Sequence, residues 1–93
     1  MRLKDLPSTQ EAVVLQTILK IKGQAYGLQI ARESGIKKNG VYALLQRLDS
    51  QGLVKSHLVE RTEEGPPFRV YALTERGTRM CEFLNYMESF SLS

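Results

Sequence analysis

The chain has 93 residues, 42% hydrophobic and 25% charged, which suits one globular domain with a single small core and excludes wholesale disorder. No run nears the ~18 apolar residues of a membrane span, residues 1–7 lack the apolar centre of a secretory signal, and a lone Cys81 excludes a disulfide or Cys-rich metal site, implying a reducing cytoplasm. Residues 1–61 hold ten basic and five acidic side chains, a net of +5, whereas residues 62–93 hold three and five, a net of −2; the asymmetry suits a polyanion on one face.

Residues 1–7 read as a short arm ending at Pro7. Ser8-Thr9-Gln10-Glu11 fits a capping box, in which the Ser8 hydroxyl accepts from the Glu11 amide and the Glu11 carboxylate accepts from the Ser8 amide. Ala12, Leu15, Ile18 and Leu19 follow at helical spacing and predict a first helix over 9–22, closed by Gly23. A shorter second helix runs from Gly27 to Ser34, with Gly35 at its end. Gly27, Ile30, Ala31 and Ser34 share one of its faces, and residues this small let another helix approach closely.

The third helix has the clearest pattern: Val41, Leu44, Leu45 and Leu48 form one apolar stripe, with Asn39 expected as N-cap and Gly52 as the C′ residue. Beyond Gly52 the hydrophobic period falls to about 2. Leu53 to Arg61 and Phe68 to Leu73 read as two strands joined by the turn Thr62-Glu63-Glu64-Gly65-Pro66-Pro67. Thr74 is placed to cap a last helix over about 75–90, where Met80, Phe83, Leu84, Met87 and Phe90 make a second apolar stripe.

Three short helices, a hairpin and a closing helix give the order of a winged helix-turn-helix, with the turn at residues 34–38. The expected class is α+β, mainly α: three helices, a two-stranded wing and a C-terminal dimerisation helix. The division is an arm at 1–7, a DNA-binding unit at 8–74 and a dimerisation helix at 75–93.

The segment from Val14 to Gly77 resembles the PadR family of bacterial winged-helix transcriptional regulators. Gly27-Leu28-Gln29-Ile30 is similar to that family's Gly-Tyr-Glu-Ile opening of the second helix, with Leu28 in place of tyrosine. Val41-Tyr42-Ala43-Leu44-Leu45-Gln46-Arg47-Leu48 resembles its Leu-Tyr-Pro-x-Leu-x-Arg-Leu signature, with Ala43 in place of proline. Gly52-Leu53-Val54, and the run from Gly65 to Gly77 containing Leu73-Thr74-Glu75-Arg76-Gly77, resemble its wing and the start of its last helix. Phe68 stands where the family often has arginine, which removes a phosphate contact; the chain carries one C-terminal helix of about four turns where longer members have a larger dimerisation region, which leaves an effector pocket built there undetermined. The resemblance implies a cytoplasmic regulator whose partners are double-stranded DNA and a second copy of itself, and leaves any small-molecule effector undetermined.

Duplex DNA presents phosphates and base-edge donors and acceptors, which call for basic and amide side chains on an exposed helix. Lys37 and Lys38 suit phosphates or groove edges, Asn39 and Gln46 suit adenine, and Tyr42 suits a phosphate or sugar. Arg47 either joins them or pairs with a carboxylate such as Asp49. In the wing, Arg61 and Arg69 flank the tip as phosphate contacts, beside the acidic Glu60, Glu63 and Glu64. Met80, Phe83, Leu84, Met87 and Phe90 are the dimerisation candidates, since so long a stripe exceeds what a small core needs. His57 has no Cys, His or carboxylate cluster around it in sequence, no phosphate-binding glycine loop is present, and nothing indicates an enzyme, a cofactor or a metal. Cys81 reads as a buried structural thiol. The expected activity is sequence-specific DNA binding by a homodimer that represses by occupying its operator. The alternatives are a winged-helix protein-interaction module, or a plasmid or phage replication or partition factor.

Overall fold

A computed structural model of the chain describes residues 6–22, 24–60, 65 and 67–91. The elements run α1 (Thr9–Ile21), β1 (Ala25–Tyr26), α2 (Gly27–Ser34), α3 (Lys38–Ser50), β2 (Val54–Val59), β3 (Phe68–Leu73) and α4 (Glu75–Ser91). This is a mainly helical α+β winged helix. None of its described helices is long and apolar enough to cross a membrane.

The α1 helix starts at the capping box: the Ser8 amide donates to Glu11 Oε1 at 2.8 Å and the Glu11 amide donates to Ser8 Oγ at 3.2 Å. Val14, Leu15 and Ile18 then point into the core. The helix closes at Lys22, whose φ of 59° makes the turn expected of Gly23; Gly23 itself lies outside the described residues. Gly35 closes α2 with φ 77°, its amide donating to the Ala31 carbonyl at 3.0 Å.

Asn39 is not the N-cap of α3. The Val41 amide donates to the Lys37 carbonyl at 2.9 Å, so the helical ladder opens from Lys37, and Asn39 falls within the first turn with its side chain outward. The far end of α3 is a Schellman motif about Gly52, with φ 75°. Its amide donates to the Asp49 carbonyl at 3.0 Å, and the Leu53 amide donates to the Leu48 carbonyl at 2.9 Å.

The sheet has three antiparallel strands in the order β1-β3-β2, one more than the two-stranded wing expected. Ala25 and Tyr26 of β1 pair with Tyr71 and Val70, while β2 pairs with β3 from Val54–Leu73 to Val59–Phe68. Two residues carry no period, so β1 exists through its pairing with β3 alone. Arg61 and three of the residues expected in the turn, Thr62, Glu63 and Glu64, lie outside the described residues, as does Pro66.

One junction fixes the last helix to the rest. Thr74 donates its hydroxyl proton to the Gly52 carbonyl at 2.6 Å, and its Oγ1 accepts from the Gly77 amide at 3.0 Å. The Thr74 amide donates to the Leu53 carbonyl at 3.1 Å. A side chain on Gly77 would drive into that same Leu53 carbonyl, so glycine is required for α4 to pass there. From this corner α4 runs back along α1, and Gln16 donates its side-chain amide to Asn85 Oδ1 at 2.8 Å. Val14, Leu15, Ile30, Val41, Leu45 and Leu48 are the centre of the core, closed below by Met80 and Cys81.

Candidate nucleic-acid interface

The core stripe of α3 leaves its other side to solvent. Lys37, Lys38, Asn39, Tyr42, Gln46 and Arg47 are all exposed, so the residues expected to meet DNA lie together on one side of one helix. Thirteen residues give that helix a length of about 20 Å, enough to follow a groove. Arg79 pairs with Glu75 on α4, and no salt bridge joins Arg47 to Asp49. Among the described residues Lys37, Lys38 and Arg47 form no ion pair, and no described side chain holds Asn39 or Gln46 by a hydrogen bond.

Tyr42 is more constrained than the sequence indicates. Its ring lies against the backbone of Gly27, where a Cβ would stand 2.5 Å from the ring carbons. The small face of α2 thus serves to admit the α3 tyrosine, which keeps 39% exposure.

The wing adds Arg69, exposed on β3, whose guanidinium donates to Ser56 Oγ at 3.0 Å on β2. Between this strand and α2 lies an open groove of about 870 Å³ lined by Tyr26, Leu28, Gln29, Arg32, Tyr42, Phe68 and Arg69, among others. Tyr26 and Phe68 meet edge to face with centroids 5.0 Å apart. Tyr26, Leu28 and Arg32 are additions to the expected surface. Tyr26 sits between two helices with no periodic pattern of its own, and only the pairing of β1 with β3 brings it beside Phe68.

Two other groups stay out of this surface. His57 meets the Gln24 side-chain amide at 3.1 Å, and no group of three or more His, Cys, Asp or Glu suited to a metal occurs among the described residues. Cys81 is wholly buried, and burial, with a smaller contribution from Glu82, raises its thiol above the ordinary 9.0.

The terminal stripe is divided. Met80 is 5% exposed and belongs to the core, and Leu84 packs half-buried against it. Phe83, Met87 and Phe90 are exposed, Phe90 to 63%, with Tyr86 stacked edge to face on Phe90 at 4.9 Å.

Residues 14–82 match the model of the transcriptional regulator PadR-like family, about three quarters of the chain. Among solved structures, a PadR family transcription regulator from Clostridium difficile is 23% identical with a TM-score of 0.78, over 89% of this chain and 90% of that one. A PadR family regulator from Eggerthella lenta is 24% identical with a TM-score of 0.72, over 87% and 75% of the two chains. PadR from Bacillus subtilis, in complex with operator DNA, is 16% identical with a TM-score of 0.71, over 83% of this chain and 46% of that one. No curated protein matches the sequence.

Proposed function

The chain belongs to the PadR-like family of transcriptional regulators, and from that premise we propose that it is a homodimeric, sequence-specific DNA-binding protein of the cytoplasm that represses by occupying its operator. The observation that carries this is the outward side of α3, where Lys38, Asn39, Tyr42 and Gln46 are exposed together and no described acid pairs with the lysines. Lys37 and Lys38 contact phosphates at the mouth of the groove, Asn39 and Gln46 read base edges, and Tyr42 contacts the backbone. Arg47 and Arg69 add phosphate contacts at the two ends of the surface, and Arg61 is expected to add another. Residues 8–74 form the DNA-contacting unit, and residues 75–93 the dimerisation helix.

The relative from Bacillus subtilis, a fold neighbour, carries operator DNA, which supports DNA as the partner. The exposed Phe83, Met87 and Phe90, with the flank of Leu84, support a second copy as the other partner. A two-fold dimer sets two recognition helices about 34–36 Å apart, one turn of duplex. A dimer bound over a promoter excludes polymerase by occupancy, with no further surface needed.

Titration of labelled duplex from immediately upstream of the gene, against a scrambled duplex of equal length and across a salt series, tests the assignment. The upstream duplex is expected to bind at least 10³-fold more tightly. Equal affinity for the two refutes sequence-specific regulation. Promoter-directed transcription in vitro, falling as the dimer is added, tests repression.

A further inference from the structure

The groove between α2 and β3 is not part of the recognition helix, yet it opens on the same side, because Tyr42 of α3 forms one of its walls. Its chemistry is mixed in a particular way. Arg32 on α2 and Arg69 on β3 both line the groove, together with the apolar Tyr26, Leu28 and Phe68. Among the described residues Arg32 has no hydrogen bond or ion pair. Its acidic neighbour Glu33 lines a different groove, between α1 and α4, so the charge of Arg32 is not cancelled from its own helix. Arg69 is steadied by Ser56 rather than neutralised. An occupant of this groove meets two arginines and several apolar or aromatic side chains, so it should carry negative charge together with apolar surface.

A nucleic-acid strand has that combination: phosphates joined by deoxyribose rings, whose carbon-rich faces suit aromatic side chains. We propose that this groove seats the sugar-phosphate backbone of the strand beside the recognition helix, with Arg32 and Arg69 on its phosphates and Tyr26 and Phe68 against deoxyribose. The proposal rests on the DNA-binding assignment above and extends its footprint from α3 to α2 and β1. Continuity with the α3 surface through Tyr42 favours this occupant over an unrelated acidic peptide or a free small anion.

Arg32→Gln tests it, in polarisation titrations with the upstream and scrambled duplexes between 50 and 200 mM salt. Arg32 is exposed, so the fold should survive, which circular dichroism checks. Because the proposed dimer carries two copies of Arg32, affinity is expected to fall roughly 25- to 100-fold on both duplexes, the ratio between them to hold, and the slope of log affinity against log salt to shrink by about 1.8. Arg32→Lys should restore the slope. Tyr26→Ala should weaken both duplexes and leave the slope alone, since it removes no charge. Lys22→Gln, in a separate groove by α1, β3 and α4, should leave the slope at the wild-type value. An Arg32→Gln protein with wild-type affinity and slope overturns the groove assignment alone, provided the wild type still prefers its upstream duplex. A loss confined to the upstream duplex would make Arg32 a base contact and overturn it as well. A wild type with no preference between duplexes instead removes the DNA-binding assignment on which the groove depends.

Discussion

Gly27 and Gly77 both hold space that another group occupies, but the cost of filling that space differs. A methyl on Gly77 meets the backbone carbonyl of Leu53, which is fixed by the Thr74 amide and cannot yield. Gly77→Ala is expected to destabilise by about 3 kcal/mol or more, read as a drop of at least ~12 °C in melting temperature. A methyl on Gly27 meets only the Tyr42 ring, the far end of a flexible side chain. Gly27→Ala should therefore cost under about 1 kcal/mol of stability yet weaken DNA binding several-fold by turning Tyr42 away, which separate melting and binding measurements distinguish. The sequence shows that Gly27 lies on a close-approach face, but not what approaches, because Tyr42 reaches it from another helix. Asn39 shows the reverse case: its residue type suits a cap, but the Lys37 carbonyl opens the ladder earlier.

Two buried acids make stability depend on pH in the alkaline range. Burial raises the Tyr71 phenol above 10.0 against a partial lowering by Arg69, and raises the Cys81 thiol above 9.0. The unfolded chain releases both protons first, so their contribution is complete below about pH 9 and is lost as pH rises through 9 and 10. Urea midpoints at about pH 8 and about pH 10.5 should show the fall, and Tyr71→Phe should reduce it. Cys81 should also resist alkylation until the chain unfolds.

At the scale of elements, what repeats is readable and what pairs at a distance is not. Four leucines and valines at helical spacing suffice to define α3, and alternation suffices for β2 and β3. Thr74 and Gly52 are recognisable as cap residues, and both occupy those positions. That the two also bond to each other, linking the end of α3 to the start of α4, is visible only in three dimensions. Thr74→Ala removes both hydrogen bonds and is expected to cost about 1–2 kcal/mol in chemical denaturation, with Thr74→Ser recovering most of it. The strand β1 is the element with no local signature. Its absence from the sequence pattern is also why neither Tyr26 nor the α2–β3 groove is legible in the sequence.

For the molecule as a whole, element order was enough to give the winged-helix topology, and element order follows from local patterns. The surfaces were less legible, since a stripe along a helix does not say how deep the helix sits. Met80 went to the core and Phe90 to solvent, although both belong to one stripe. The two ends should respond differently. Phe90→Glu together with Met87→Glu is expected to convert the proposed dimer to a folded monomer in sedimentation, and to lower operator affinity at least tenfold by uncoupling half-sites. Met80→Ala is expected to lower stability by about 2–5 kcal/mol.

The bonds that Thr74 makes at the corner have a mechanical consequence. The Gly52 and Leu53 carbonyls just past α3 and the Gly77 amide in the first turn of α4 all bond to Thr74, and Gly77 leaves no slack against Leu53, so α3 and α4 are braced against each other at this corner. In the proposed dimer, a tilt of one α4 against its mate would swing the attached recognition helix with it. The spacing of operator halves in that dimer would then answer to the packing of its two α4 helices, remote from the bases themselves.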